Sequence, residues 1–362
     1  MNRLVSWKDS DWVLIGVLLL ITGMGIVQIY STTAGTRFAG AHVRQIYWVL
    51  LGITVLLVAC FTDYHTLLNY APWFYLGVLG LLVVTLLVGD EIFGARRWIQ
   101  VGGQSFQISE VTKLAVILLL ARFFGEFQVG EVTFVDLVKV AIAVGIPAVL
   151  IALQPDLGTA LTLVPIAFVA LFLAGLRLRY FAVMLLAGLL ALPVGMHFLK
   201  PYQKARIATF LNPEADPKNS GYQVLQSKIA VGSGQLWGKG TAQGTQTQLR
   251  FLPVPHTDFI FAAYAEEHGF FGVLLALVLF FIALLRLVET AQTAPDASGM
   301  FLAAGVLAVL AFQILINVGM VVGYLPVTGI PLPLMSYGGS SVVFTCMAIG
   351  MVNSVRIRRF VN

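Results

Sequence analysis

The sequence predicts an all-α membrane protein: a polytopic bundle of about ten transmembrane helices, formed by one domain over residues 1–362, with one long extracytoplasmic loop. Composition is the first reason, since 59% of the 362 residues are hydrophobic and only 11% are charged, too few to cover a soluble surface. The apolar residues also form continuous runs that are long enough to cross a bilayer. They do not alternate with polar residues as they would in a membrane β-barrel, so a barrel is excluded.

The predicted spans follow the apolar runs in chain order. They lie at 11–30, 45–61, 72–89, 110–124, 134–153, 157–175, 179–199, 264–288, 300–325 and 338–356. The fourth run is short, and only residues 154–156 separate the fifth from the sixth. A count one higher or lower therefore stays open at each of these two places.

The distribution of Lys and Arg predicts the orientation. An even number of spans puts both termini on one side, where short segments carry nine Lys or Arg, against four on the other side. Because positive charge accumulates in short cytoplasmic loops, both termini are predicted in the cytoplasm and the segment from 200 to about 257 outside. These basic residues lie at the ends of apolar runs, which argues against nucleic acid as a partner.

The outer segment, residues 200–257, is too long to be a simple connection. It contains aromatic and basic side chains and a glycine series between residues 232 and 244, so we expect interfacial or re-entrant helices that a ligand can approach. The glycines do not match a P-loop, because Gly240 follows Lys239 where Ser or Thr is required. The five histidines are scattered without a zinc-binding pattern.

Asp258 is the first candidate for chemistry, because it lies where the outer segment meets the eighth span. A carboxylate at this point can meet an amphiphile, but it can equally cap the helix. Glu266 and Glu267 follow within about two turns. If either faces Asp258, the like charge would raise proton affinity there; the alternative is that both are solvated charges paired with Lys or Arg of the loop.

Other ionisable residues lie at span ends. Glu110 and Lys113 are three residues apart, on one face of the fourth span, and suit an ion pair that either pins the helix end or forms a polar patch. Asp156 follows a proline and is more typical of a helix cap than of a ligand. Arg96 and Arg97 suit phosphate oxygens or interface anchoring. These features fit an anionic amphiphile as ligand and leave open an enzyme or a transporter.

Several segments resemble the SEDS family (shape, elongation, division and sporulation) nearly from end to end. They are Arg44-Gln45, Gly94–Trp98, Gln107–Lys113, Gln154–Ala160, Tyr202–Arg206, Phe251–Pro253, His256–Phe261 and Pro331–Ser341. The ending Gly329–Ser341 and the short tails are more similar to the elongation branch of the family than to its division branch. The sequence departs from the family pattern at Ile108, where proline is usual, and at His268, where leucine is common.

The resemblance implies a peptidoglycan glycosyltransferase of the bacterial cytoplasmic membrane that polymerises lipid II into glycan strands at the outer face. It implies a class B penicillin-binding protein and the elongation machinery as partners. In the family the aspartate of the segment that matches His256–Phe261 is the catalytic candidate, which is Asp258 here. The acidic and basic residues of the segment that matches Gln107–Lys113 are Glu110 and Lys113.

The mechanism implied is one displacement with inversion, with Asp258 as the base that accepts the proton of the sugar hydroxyl. No organic cofactor is expected. Bound Mg²⁺ or Mn²⁺ could bridge the oxygens of the leaving diphosphate. The candidate cations for the diphosphate are Arg96, Arg97, Lys113, Lys200, Lys204, Arg206 and Lys239. The alternatives are a lipid II flippase, which would need ionisable groups near the midplane, and a scaffold, which would leave the charges unexplained.

Overall fold

The computed structural model describes residues 9–92, 95–101, 104–126, 132–177, 179–183, 186, 190, 201–212 and 220–359. Thirteen helices are described: α1 (Trp12–Thr33), α2 (Ala41–Phe61), α3 (Tyr64–Val88), α4 (Ile108–Gly125), α5 (Phe134–Leu153), α6 (Leu157–Leu161), α7 (Leu163–Leu173), α8 (Pro201–Leu211), α9 (Ser220–Ser233), α10 (Thr245–Gln248), α11 (Ile260–Gln292), α12 (Ala297–Val321) and α13 (Gly339–Arg358). A small antiparallel sheet of β1 (Asp90–Ile92), β2 (Ala95–Val101) and β3 (Gln104–Gln107) joins α3 to α4.

The predicted all-α membrane fold is confirmed. Seven of the described helices are long and apolar enough to cross a bilayer: α1, α2, α3, α5, α11, α12 and α13. Helix α4 coincides with the fourth predicted span, and α6 with α7 covers the sixth. The seventh predicted span, 179–199, lies largely outside the described residues. Helix α3 begins eight residues before the predicted span, because its first turns hold polar residues that lower the local hydropathy.

Helices α4, α12 and α13 form the centre of the bundle. Helix α12 packs against α4, α7 and α11, and α13 packs along α2. The close contact between α2 and α13 depends on Gly350, since a Cβ there would lie 2.4 Å from the Leu56 carbonyl oxygen. Small residues at such contacts let helix backbones approach closely in a membrane.

Helix α11 is broken at Gly269, where φ is +64° and ψ is −163°. The glycine-rich loop after α9 fills the break. The Phe270 N–H donates to the Gln235 carbonyl (2.8 Å), and the Gly240 N–H donates to the Glu267 carbonyl (2.9 Å). A Cβ at position 269 would lie 2.2 Å from the Gly238 nitrogen, so the break requires glycine on steric and conformational grounds.

Ion pairs join the helix ends that lie near the termini. Arg286, near the end of α11, donates from Nε to the Asp11 carboxylate at the start of α1 (2.9 Å). Arg356, near the end of α13, pairs with Asp11 (3.2 Å) and with Glu289 (3.2 Å). The opposite end of the bundle carries the sheet, α8 to α10 and the start of α11. The bundle therefore has one end where ion pairs join the helices and an opposite end that carries the sheet, the short helices and their loops.

Candidate functional site

Asp258 lies in the loop just before α11 and does not cap it. The residue at the cap position is Phe259, and no side chain caps the helix there. The cap alternative for Asp258 is therefore wrong. The main chain of Asp258 is fixed instead by Asn317 of α12, whose Nδ2 donates to the Asp258 carbonyl (3.0 Å) and to the Ile330 carbonyl (2.9 Å).

The segment between α12 and α13 supports this loop from the other side. Ser336 Oγ donates to the Thr257 carbonyl (2.7 Å) and accepts from the Leu332 N–H (2.9 Å). Gln45 of α2 donates to the Ser336 carbonyl (3.3 Å). Gly329 faces the carboxylate, because a Cβ there would lie 3.4 Å from Asp258 Oδ2. The segments 256–261 and 331–341, singled out in the sequence, therefore form one structural unit.

Three charged side chains from separate elements act electrostatically on the Asp258 carboxylate. They are Arg206 of α8, Arg97 of β2 and Asp156 at the start of α6. Burial raises the pKa of the Asp258 carboxyl, and the positive charges of Arg206 and Arg97 oppose this rise. The negative charge of Asp156 adds to the rise. Asp258 is thus a carboxylate whose proton affinity is raised while cations remain beside it, which suits a proton acceptor.

Arg97 and Asp156 are held together by the small sheet. Pairing of β2 with β3 puts Trp98 opposite Gln107, so Gln107 lies beside Arg97. Gln107 Nε2 donates to Asp156 Oδ2 (2.7 Å), and Arg97 Nη1 lies 3.6 Å from the same oxygen. The other oxygen, Oδ1, accepts from the Thr159 N–H (3.2 Å). The predicted cap is present, but Asp156 also pairs with an arginine.

Glu110 and Lys113 form the expected ion pair. Lys113 Nζ donates to Glu110 Oε1 (2.9 Å), and both side chains are buried. They line a small cavity inside the bundle between α4, α12 and α13, together with Gln313 and Thr345. Glu110 lies three residues after Gln107, in the first turn of α4.

Glu266 and Glu267 do not provide the like charge beside Asp258; the like charge there comes from Asp156. Glu266 is fully buried and accepts from Lys239 Nζ (2.9 Å), from the Gln246 N–H (2.8 Å) and from the Thr247 N–H (3.1 Å). Glu267 accepts from the Ser31 hydroxyl of α1 (2.5 Å). Glu266 does pair with a loop lysine, but neither glutamate is solvated, because the loop folds over both.

The remaining predicted cations are distributed around the cluster. Lys204 is exposed on α8, two residues before the partly buried Arg206. Arg96 lies on β2 next to Arg97, and its side chain is outside the described part. Lys200 lies outside the described residues altogether. Lys239 is bound to Glu266 and to the Thr245 hydroxyl (2.7 Å), away from the Asp258 cluster.

The described residues do not fit a metal held by the protein. Within them, no group of three or more His, Cys, Asp or Glu side chains is close enough to hold an ion. The Asp156 carboxylate is already occupied by Arg97, Gln107 and the Thr159 N–H.

Sequence reasoning missed three parts of the site. Gln107, Asn317 and Gly329 were assigned no role at the carboxylate. Gln107 lies within a segment that carried the family resemblance, which was the available signal. Asn317 lies inside the ninth predicted span, and Gly329 begins the segment that resembles the elongation branch, but neither position was linked to Asp258.

Comparison with known proteins gives consistent matches over nearly the whole chain. Residues 11–360 match the family model of the cell cycle proteins FtsW, RodA and SpoVE. Stage V sporulation protein E of Bacillus subtilis (strain 168) is 39% identical over 356 residues, covering 96% of this chain and 97% of that protein. Peptidoglycan glycosyltransferase MrdB of Escherichia coli (strain K12) is 37% identical over 361 residues, covering 99% of this chain and 97% of that protein.

Solved structures agree. A chain of a peptidoglycan synthase complex, described as coordinating polymerization and crosslinking, is similar with a TM-score of 0.84 at 32% identity, covering 98% of this chain and 99% of that one. The crystal structure of rod shape determining protein RodA from Thermus thermophilus has a TM-score of 0.74 at 31% identity, covering 98% of this chain and 99% of that one.

Proposed function

The chain belongs to the FtsW, RodA and SpoVE family of cell cycle proteins, and from this premise we propose that it is a peptidoglycan glycosyltransferase that polymerises lipid II into glycan strands for cell elongation. The relatives named MrdB and RodA are peptidoglycan glycosyltransferases, which supports the reaction class. The observation that carries the proposal is the Asp258 carboxylate beside Arg97 and Arg206.

The proposed reaction is a single inverting displacement. The hydroxyl oxygen of the acceptor sugar attacks the anomeric carbon of the donor while its proton passes to the Asp258 carboxylate. The bond from that carbon to the diphosphate breaks, and the electron pair leaves with the polyprenyl diphosphate. The carboxyl then returns its proton to solvent. A positioned base of this kind contributes roughly 10² to 10⁴ in rate.

We assign the leaving diphosphate to Arg97 and Arg206, since guanidinium forks suit phosphate oxygens and the charges of these two act on the Asp258 carboxylate. Arg96, Lys200 and Lys204 remain proposed second contacts. A divalent ion such as Mg²⁺ or Mn²⁺ has a role only as an ion carried by the diphosphate oxygens. The test is to measure polymer formation after treatment with a chelator. The chelator should lower the rate of polymerisation without unfolding the protein.

Glu110 and Lys113 are proposed to bind the donor through the cavity that they line. Lys113→Ala should raise the lipid II concentration needed for half-maximal rate and leave an uncompensated buried carboxylate at Glu110. The double variant Glu110→Gln/Lys113→Met removes both charges and separates the two effects. An unchanged concentration dependence in both variants would remove this role.

The decisive experiment is polymerisation of lipid II by the purified protein, with products resolved by length on a gel. Asp258→Asn keeps the volume of the side chain and removes the base, so glycan ladders should be lost while the thermal unfolding midpoint is kept. Asp63→Asn, at the end of the bundle that holds the termini, is the matched control and should polymerise normally. A folded Asp258→Asn protein that polymerises at the native rate would remove the assignment of the base.

The alternative function is a lipid II flippase. Absence of ladders from the native chain, with and without its partner, together with movement of labelled lipid II across proteoliposomes, would favour that function.

We propose a class B penicillin-binding protein, within the elongation machinery, as the partner. The synthase complex that contains a similar chain supports this assignment. The outer face of α11 is apolar and exposed and could contact the partner's single membrane helix; it includes Phe270, Phe271, Leu274, Leu275, Val278 and Phe281. Co-purification of the partner with the native chain, and its loss when Leu274 and Phe281 are changed to alanine and tryptophan, is the test.

We also propose that both termini lie in the cytoplasm and that the Asp258 cluster faces the outside of the cytoplasmic membrane. The surplus of Lys and Arg at the end with the termini supports this orientation. A cysteine introduced by Arg37→Cys should react with a membrane-impermeant maleimide on intact spheroplasts. A cysteine introduced by Arg359→Cys should react only after lysis. The reverse pattern would invert the orientation.

A further inference from the structure

Asp156 does more than a helix cap requires. Its side chain is buried, and one carboxylate oxygen accepts from the Thr159 N–H, which completes the cap. A serine or asparagine would cap as well. The second oxygen points to Gln107 and to Arg97 instead. A buried carboxylate is costly unless it is paired, so this second oxygen needs a role of its own.

Arg97 is the residue that the second oxygen holds. Its Nη1 lies 3.6 Å from Asp156 Oδ2, and its side chain is 30% exposed. Its Nε is buried and donates to no described residue. The guanidinium group thus keeps donors available at a point that is also within electrostatic range of Asp258. Those donors can bind either the Asp258 carboxylate or a phosphate group.

We propose that Asp156 is a positioning residue for glycosyl transfer: it holds the Arg97 guanidinium so that Arg97 binds the departing diphosphate instead of pairing with Asp258. This inference rests on the proposed function and adds a division of labour among its charged groups. Asp258 takes the proton, Arg97 takes the phosphate, and Asp156 keeps the two apart.

The physical reason is the strength of the base. A carboxylate in a close pair with arginine binds a proton weakly, because the cation stabilises the ionised form. The charged groups around Asp258 come from three elements: Arg206 from α8, Arg97 from β2 and Asp156 from the start of α6. Asp156 counters the two cations, and it draws Arg97 toward β3 through the network with Gln107.

The test uses Asp156→Asn and Asp156→Ser. Both can still accept from the Thr159 N–H, and the Gln107 amide can rotate to meet the new asparagine. Both remove the negative charge that holds Arg97. The turnover number should fall about tenfold in each. Because Asp258 is active when ionised, and loss of a nearby negative charge lowers its proton affinity, the acid limb of rate against pH should move down by about one pH unit.

Two results would overturn the inference. If Asp156 is only a cap, the Asp156→Ser variant should keep the native rate and the native pH profile. If it is only a packing residue, both variants should lose folded protein, while the active fraction keeps the native acid limb. Asp258→Asn tests the proposed function separately: if that variant polymerises with an unchanged acid limb, the base assignment fails whatever the Asp156 variants do. Asp63→Asn serves again as the control.

Discussion

Replacement of Asn317 by alanine tests how the loop that carries Asp258 is held. Asn317 is fully buried, and its Nδ2 donates to the carbonyls of Asp258 and Ile330. Alanine leaves both carbonyls without this donor, and each lost hydrogen bond costs about 1–2 kcal/mol when the partner stays buried. The free energy of unfolding should therefore fall by about 2–4 kcal/mol.

The effect on activity should exceed the effect on folding. Release of the Asp258 main chain lets the carboxylate move, and a misplacement of about 1 Å can cost roughly 100-fold in rate. Unfolding is followed by the thermal midpoint in detergent, and the rate by lipid II polymerisation of the folded fraction at a temperature where both proteins are folded.

Gln313→Ala is the matched control for stability. Gln313 lies one turn earlier on α12, is buried to a similar degree, and lines the cavity beside Glu110 and Lys113. It should lower the midpoint less than Asn317→Ala does. The claim that Asn317 fixes the loop would be refuted if the two variants lowered the thermal midpoint equally. It would also be refuted if a folded Asn317→Ala protein had the native rate.

Three further predictions concern the outer end of the bundle. Glu266→Gln should destabilise the protein by about 3–5 kcal/mol, since an amide cannot accept all the bonds of the buried carboxylate, and should increase proteolysis of the loop between residues 239 and 247. Gly269→Ala should prevent stable folding because of the clash and the positive φ, whereas Gly77→Ala, which meets open space, should leave the thermal midpoint unchanged. Gly329→Ala should lower both the midpoint and the rate, because φ there is +74° and the new methyl group would contact Asp258 Oδ2 at 3.4 Å.

The membrane bundle was predictable because hydrocarbon imposes a simple rule on the sequence. Long apolar runs must become helices, and the largest difference between a predicted start and a helix start occurs at α3, where the first turns hold polar residues. The sheet of β1 to β3 was not predicted. Its strands are short and lie in a polar connection, where hydropathy carries no signal.

Asp258 became a candidate from the sequence because a carboxylate at a span end is costly. Its neighbours were not predictable, because sequence proximity favoured Glu266 and Glu267. Tertiary structure instead turns Glu266 toward Lys239 and brings Asp156, about a hundred residues away in the chain, into the field of Asp258. Nearness in the sequence therefore does not predict which charges interact. The fold of the loop after α9 determines which carboxylates are buried.

The break at Gly269 bears on how the protein is made. An unbroken helix of 33 residues would be about 50 Å long, well beyond the roughly 30 Å of hydrocarbon. The break leaves residues 270–292 as a segment of membrane length and keeps the two buried glutamates out of it. The residues that later bind those glutamates, in α1 and in the loop after α9, precede α11 in the chain. When α11 is synthesised, the residues that bind its two glutamates have therefore already been synthesised. Neither carboxylate then has to remain unpaired in lipid.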